Sequence, residues 1–215
     1  MKKKIGIFWL RDDFRIAKNL ALAYATKNHH RVVVLYLFKE KKYANQEAQK
    51  WWINKSLNEF KKKLLKFNIE IQIFKVSSYK DFFEKKLLNK ENFSIYWNRV
   101  YEPEYLKFDD YLATKFEDRK IEYQIFKGNI LNEVNEVKKK DGTPFKVFTP
   151  FWRQAENHFL EKIPFKEKKI QKCNEKITFF EDSIDAKEIS PRNNWSQKFE
   201  NYWSPSEESA LELLR

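Results

Sequence analysis

The sequence has little cysteine, little glycine and no long apolar run. A single cysteine, Cys173, permits no internal disulfide bond, which is typical of a cytoplasmic protein. With only three glycines, the chain has no Gly-x-Gly-x-x-Gly sequence and no Walker loop for binding phosphates. No apolar run approaches the roughly 18 residues of a membrane-spanning helix, so we expect no membrane partner. The histidines and Cys173 lack the spacing of metal ligands, and we predict no metal site.

Aromatic residues and positive charge are abundant. Of the 215 residues, 42% are hydrophobic and 17% aromatic, which is ample for a folded core. The net charge of +12 favours polyanions, with nucleic acid as the obvious partner. A composition rich in lysine and poor in alanine and glycine can also reflect coding bias.

Apolar runs alternate with segments of helical periodicity along the first part of the chain. The strands are predicted at 5–10, 31–38, 69–74, 93–97 and 121–126. The helices between them are predicted from 19 onward and over 47–65, 78–88 and 105–116. This alternation predicts an α/β fold: a Rossmann-like open five-stranded parallel sheet with helices on both faces, followed by a long connector.

The alternation stops after Gly128. Thr149 and Pro150 read as an N-cap and first residue of a helix over 151–160. Residues 161–202 carry no sustained period and are predicted to be a connector. Ser204 and Pro205 then predict a last helix at 208–215, which has almost nothing to pack on, so we expect the chain to be cut short.

Four segments together resemble one known family, in that family's order. They are residues 9–22 (WLRDDFRIAKNLAL), 96–103 (YWNRVYEP), 141–152 (DGTPFKVFTPFW) and 203–210 (WSPSEESA). These are similar to the motifs of the DNA photolyase and cryptochrome family. The chain departs from the family pattern with Phe14 for leucine, Lys18 for aspartate and Ser206 for glycine.

The resemblance implies two domains that bind different chromophores. Residues 1–130 would be the core of an α/β antenna domain, 131–160 its end, 161–202 an interdomain connector and 203–215 the first helix of an FAD-binding helical domain. The antenna would be methenyltetrahydrofolate or a deazaflavin, whereas FAD would be held only by the full-length protein. No catalytic residue for repair can be named within this chain.

The implied function is that of the N-terminal domain of a deoxyribodipyrimidine photolyase. The full-length protein would be a monomer that repairs cyclobutane pyrimidine dimers in double- or single-stranded DNA with light. The alternatives are a cryptochrome-type photoreceptor and a stand-alone, non-enzymatic chromophore- or nucleotide-binding module. An electron-transfer-flavoprotein or adenylate-forming type is more distant, because no glycine-rich phosphate loop is present.

Five residues are candidates for the antenna site. Arg11 and Glu102 lead, and Trp9, Phe38 and Asn98 lie at the ends of the first, second and fourth predicted strands. A heterocycle needs flat apolar walls and a few directed polar groups. Glu102 can accept hydrogen bonds from a pterin amine and ring N–H.

Structural roles are alternatives for several of these side chains. Arg11 can form an ion-pair cluster with Asp12, Asp13 and Arg15 that closes the sheet, and Asn98 can cap the following helix. Arg153, at a predicted helix start, is a candidate contact to a DNA phosphate, with a solvated arginine as the alternative.

Overall fold

Five parallel strands form the centre of the chain. The computed structural model describes residues 4–130, 133, 136–160, 169–192 and 194–214. The strands are β1 (Ile5–Leu10), β2 (Val32–Lys39), β3 (Glu70–Val76), β4 (Phe93–Asn98) and β5 (Glu122–Phe126). Their order in the sheet is β3-β2-β1-β4-β5, and every neighbouring pair is parallel. The predicted Rossmann-like sheet is therefore confirmed.

Helices between the strands cover both faces of the sheet, and two more helices follow later in the chain. They are α1 (Leu20–Asn28), α2 (Glu47–Leu65), α3 (Tyr79–Phe82), α4 (Pro103–Asp118), α5 (Phe148–Leu160) and α6 (Glu207–Leu213). Short 3-10 helices lie at Ala186–Ile189 and Asn194–Asn201. Helix α1 begins after Asn19, whose side chain accepts a hydrogen bond from the Leu22 amide at 3.1 Å.

Successive residues of β1 enter two separate cores. Ile7 and Trp9 pack with residues of α3 and α4, whereas Phe8 and Leu10 pack with residues of α1 and α2. Burial on both faces explains why the strand is continuously apolar. The charged residues begin only where β1 ends, so the polar chemistry is placed at the carboxyl edge of the sheet.

Residues 179–184 of the predicted connector lie against the outer edge of β3. The Gln72 side chain accepts hydrogen bonds from the Phe179 and Phe180 amides at 3.1 and 3.0 Å and donates to the Phe180 carbonyl at 2.6 Å. The Ile184 amide donates to the Ile73 carbonyl at 2.9 Å. These contacts cover an edge strand that would otherwise be open to pairing. Residues 161–168 and 193 of the predicted connector lie outside the described residues.

Two helix starts differ from the predictions. Helix α5 begins at Phe148, so Thr149 and Pro150 lie in its first turn rather than at its cap and first residue. Helix α6 is capped by Ser206, whose side chain accepts from the Ser209 amide at 3.1 Å. The predicted cap, Ser204, is therefore wrong by two residues.

The helix predicted over 78–88 changes its winding. After α3 the chain continues as a π-helix over Phe83–Leu87. The Leu88 amide donates to the carbonyl of Phe83 at 2.8 Å, five residues back. This wider turn places Phe83 and Leu87 in the core beside Trp9.

Candidate functional site: a crevice at the carboxyl edge of the sheet

The winding of the sheet reverses between β1 and β4. These strands are neighbours, yet α1, which follows β1, covers one face and α4, which follows β4, covers the other. Ligands of open α/β sheets bind at such a switch point, outside the carboxyl ends of the strands. A crevice of about 510 Å³ opens there, and we call it the switch-point crevice. Its lining residues are Asp12, Asp13, Asn98, Arg99, Val100, Tyr101, Glu102, Pro103, Gly128, Asn129 and Ile130.

The Asn98 side chain links β4 to the β1–α1 loop and to the start of α1 by hydrogen bonds. Its amide nitrogen donates to Asp13 Oδ2 at 2.7 Å and to Asn19 Oδ1 at 2.9 Å. Its oxygen accepts from the Ala21 amide at 3.1 Å. The side chain therefore serves the start of α1 and not the following helix α4, which corrects the predicted capping alternative. A chromophore contact from Asn98 stays a prediction.

Asp13 is a buried titratable group in the lining of the crevice. Burial raises its pKa from 3.8 to about 6, while the hydrogen bond from Asn98 and the charge of Arg15 act in the opposite direction. The Arg15 Nε atom lies 3.9 Å from Asp13 Oδ2. At neutral pH this carboxyl is mostly ionised, and it gains a proton in mildly acidic solution.

Glu102 offers an uncommitted carboxylate. It flanks the N-terminal end of α4, makes no side-chain capping bond there, and forms no ion pair or hydrogen bond with a described residue through its carboxylate. Its side chain is exposed and lines the crevice. Tyr101, Val100 and Ile130 supply aromatic and apolar surface beside it. The crevice thus combines an available acceptor with flat walls, which suits a heterocycle bearing N–H donors.

Arg11 lies in the core beside the crevice. Its guanidinium forms a buried, two-pronged contact with the Asp109 carboxylate of α4. It also lies over the Trp9 ring, at 4.0 Å from the ring centroid. Burial raises the pKa of Asp109, and the Arg11 charge opposes that effect. The predicted ion-pair cluster is thus present only in part: Arg15 pairs with Asp13, whereas Arg11 pairs with Asp109 instead of Asp12 or Asp13.

Trp9 and Phe38 lie inside the two cores. Trp9 is 1% exposed, with Phe83 and Tyr79 edge-on to its ring. Phe38 is on the opposite face of the sheet and stacks on Tyr43 at 5.0 Å between ring centroids. Neither these residues nor Arg11 belong to the crevice lining. Their binding roles stay predictions, and a ligand contact would require the surrounding aromatic side chains to move.

Arg153 is exposed on α5, away from the crevice lining. No ion pair joins it to a described residue, so its predicted DNA-phosphate role stays a prediction. Among the described residues no group of three or more His, Cys, Asp or Glu side chains could hold a metal ion. Within the same described ranges, no helix is long and apolar enough to cross a membrane.

Asp109 is the polar residue that the sequence reasoning missed. It lies on the buried stripe of α4, four residues after Tyr105 and three before Leu112. A carboxylate on an apolar helical stripe signals a buried cationic partner. That partner, Arg11, is 98 residues away in the sequence, so only the fold reveals it.

The parallel sheet and its switch-point crevice define a Rossmann-like α/β protein. The family model for DNA photolyase matches residues 6–169. The chain belongs to the DNA photolyase family.

Two curated relatives carry names from both branches of this family. The chain is 27% identical over 209 residues to the deoxyribodipyrimidine photo-lyase of Agrobacterium fabrum, covering 97% of this chain and 43% of that protein. It is 26% identical over 170 residues to cryptochrome-2 of Arabidopsis thaliana, covering 76% of this chain and 27% of that protein. The chain thus spans less than half the length of these relatives.

Solved structures share the fold. A class III photolyase from Agrobacterium tumefaciens has a TM-score of 0.81 at 25% identity, with 99% of this chain and 44% of that chain covered. An archaeal photolyase from Sulfolobus tokodaii, solved with two FAD molecules, has a TM-score of 0.70 at 18% identity, covering 98% of this chain and 46% of that chain. A Synechocystis cryptochrome has a TM-score of 0.71 at 16% identity, covering 99% of this chain and 46% of that chain.

Proposed function

We propose that this chain is the light-harvesting, chromophore-binding part of a deoxyribodipyrimidine photolyase. The observation that carries the proposal is the switch-point crevice with the uncommitted Glu102 carboxylate, in a chain of the DNA photolyase family. The bound chromophore would be methenyltetrahydrofolate or a deazaflavin. When bound, it supplies light absorption and transfers its excitation energy to a flavin.

The charge of the crevice favours the ring of such a chromophore over a dinucleotide. Asp12, Asp13 and Glu102 all lie in the lining, and Arg99 is engaged by Glu133 at 3.7 Å. Carboxylates accept hydrogen bonds from ring N–H and amino groups but repel a pyrophosphate. A dinucleotide such as FAD, of which the Sulfolobus structure contains two molecules, would meet this repulsion in the crevice.

FAD and the damaged DNA would be bound by a longer polypeptide. We propose residues 1–160 as the α/β domain, 161–202 as the connector and 203–215 as the start of a helical FAD-binding domain. Leu213 and Leu214 on and beside α6 are 84% and 83% exposed, which supports packing against further protein. The net charge of +12 supports attraction to DNA.

A cryptochrome-type photoreceptor is the second candidate. It is favoured by the similarity to Arabidopsis cryptochrome-2 over 170 residues. The two functions differ in the chemistry of the longer polypeptide. Light-dependent removal of pyrimidine dimers supports the photolyase, and a bound flavin without such repair supports the photoreceptor.

Chromophore binding can be tested on this chain directly. The absorption and fluorescence of methenyltetrahydrofolate and of a deazaflavin are titrated with wild type, Glu102→Gln and Glu104→Gln. We expect saturable binding of one of them, weakened about tenfold in Glu102→Gln, because a charged hydrogen bond is worth about 1.5–3 kcal/mol. Glu104→Gln is the matched control, because Glu104 is the exposed partner of Lys39 and does not line the crevice. If neither chromophore binds, or if both variants weaken the binding equally, the proposed site is overturned.

A further inference from the structure

A second cavity is lined by other residues of the β1–α1 loop than those that line the crevice. Its volume is about 440 Å³, within the usual range of small-molecule sites, and we call it the lysine cavity although it is open to solvent. Four segments far apart in the sequence meet around it: the β1–α1 loop, the end of α2, the connector and α6. Its lining residues are Ile16, Ala17, Lys18, Lys63, Lys66, Phe67, Lys169, Ile170, Glu207, Glu208 and Leu211.

Among the described residues that line the lysine cavity, the charges do not balance. Lys63 is paired with Glu207 at 3.2 Å and with Glu208 at 3.1 Å. Lys18, Lys66 and Lys169 form no ion pair with any described residue. Three ammonium groups therefore surround one cavity, while both of its carboxylates are committed to the fourth lysine.

The position of two lysines at the end of α2 does not explain the whole cluster. Lys63 and Lys66 lie at the C-terminal end of that helix, where positive charge offsets the helix dipole. Lys18 and Lys169 come from other segments, so capping of α2 by its own residues does not account for them. Bringing them to the same cavity costs repulsion, which a bound anion relieves.

Lys18 is also held in an uncommon backbone conformation. Its φ angle is +53°, in the left-handed region that non-glycine residues rarely adopt. The next residue, Asn19, is fixed as the cap of α1 and by its contact with Asn98. The local fold thus keeps this lysine in the cavity lining at a cost in backbone strain.

The floor of the cavity is apolar. Ile16, Phe67 and Ile170 are partly buried and pack on the core under α2. A simple inorganic anion would leave this surface uncovered. A ligand that uses the whole cavity carries a planar or apolar body at one end and several negative charges at the other.

We propose that the lysine cavity binds a nucleoside phosphate. The base would lie on Phe67 and the two isoleucines, and the phosphates would be held by Lys18, Lys66 and Lys169. Lysine binds phosphate as a point charge and needs no glycine-rich loop to do so. This site is distinct from the switch-point crevice, whose lining carries three carboxylates and which suits a neutral ring.

The test is calorimetric titration of the 215-residue chain with ADP, adenosine, inorganic pyrophosphate and a 5′-phosphorylated oligonucleotide. We expect one ADP to bind per chain, with adenosine and pyrophosphate each at least about tenfold weaker, since each lacks one half of the contacts. If pyrophosphate binds as tightly as ADP, the apolar floor contributes nothing and the proposal fails. If the oligonucleotide binds more tightly than ADP through the same lysines, the site belongs to a nucleic-acid strand and the proposal also fails.

Variants locate the binding. The double variant Lys66→Gln/Lys169→Gln is expected to lower the affinity for ADP about tenfold or more, because two ammonium–phosphate contacts are lost. Lys107→Gln/Lys198→Gln removes two exposed lysines elsewhere and is expected to change the affinity less than about twofold. Equal weakening in both double variants, or loss of ADP binding in Glu102→Gln instead, would overturn the proposal.

A further variant keeps the test valid if the first double variant folds poorly. Lys18→Asn removes the charge while asparagine still tolerates the left-handed conformation. This variant is expected to lower the affinity for ADP severalfold without lowering the melting temperature. Unchanged ADP affinity in this variant would contradict the assigned phosphate contacts.

Discussion

Arg11 and Asp109 form an ion pair in which both side chains are only 2% exposed. The pair joins the end of β1 to the middle of α4, directly beneath the carboxyl edge of the sheet. The Trp9 ring covers the guanidinium on one side. This buried pair connects β1 to α4, and Glu102, which flanks the N-terminal end of α4, lines the crevice.

Removing one partner of this pair should destabilise the fold strongly. Asp109→Asn leaves the Arg11 charge buried without its counter-ion, and the expected loss is about 3–5 kcal/mol in the free energy of unfolding. Urea denaturation measures it. The exposed Lys62–Glu59 pair is the control, and Lys62→Met should cost less than about 1 kcal/mol. The double variant Arg11→Met/Asp109→Leu should lose less than Asp109→Asn, and a loss as large would contradict this account.

Asp13 should make stability depend on pH in a definite direction. Its pKa is raised from 3.8 to about 6 in the folded state, so the folded state binds the proton more tightly than the unfolded state. The stabilisation of the fold by this bound proton is complete below about pH 4 and is lost as the pH rises through about 6. Relative to Asp13→Asn, wild type should lose on the order of 2–3 kcal/mol between about pH 4 and pH 7.5. The free energy of unfolding of both proteins is measured by denaturation across this pH range. A difference between them that does not change with pH would refute the assignment.

Gly128 should tolerate no side chain. A Cβ atom there would lie 2.0 Å from the Arg99 carbonyl oxygen, so Gly128→Ala must push apart two walls of the crevice. We expect a loss on the order of 3 kcal/mol, read as a lower melting temperature. Gly142→Ala is the control: its Cβ meets open space and only its φ of +79° is strained, at about 1 kcal/mol. Equal losses in the two variants would show that the crowding at Gly128 is not decisive.

Glu207 should hold the β1–α1 loop in place. Its carboxylate accepts hydrogen bonds from the Ile16 and Ala17 amides at 2.9 and 2.8 Å. Glu207→Gln keeps one acceptor oxygen, and we expect amide hydrogen exchange at Ile16 and Ala17 to accelerate about tenfold. Glu208→Gln, which removes only a contact to Lys63, should leave these rates unchanged. Equal exchange rates in wild type and Glu207→Gln would show that Glu207 does not hold the loop.

The strands and the edge of the sheet that carries the site follow from local patterns. Continuous apolar runs such as 5–10 and 31–38 identify buried parallel strands, and the polar residues after β1 and β4 mark the carboxyl edge. The same pattern predicts that Asn98 and Glu102 lie near each other, and both line the crevice. Ser204 and Ser206 both precede acidic residues, so the local pattern does not separate the true helix cap from its neighbour.

The remaining site geometry depends on register and long-range contacts. Trp9 is aligned with Leu35 of β2, so Phe38, an odd number of positions further along, lies on the other face of the sheet. A one-residue difference in register decides whether the two rings can share a pocket. The Arg11–Asp109 pair spans 98 residues and has no local signal beyond a carboxylate on an apolar stripe.

The most direct test of the proposed function is to map the chromophore on the chain. Backbone-amide NMR spectra are recorded while methenyltetrahydrofolate or a deazaflavin is added to the isotope-labelled protein. The amide signals of Tyr101, Glu102 and Gly128 are expected to shift and to reach saturation, while that of Lys169 stays unchanged. Shifts confined to residues outside the crevice, or no saturable shift with either chromophore, would contradict it.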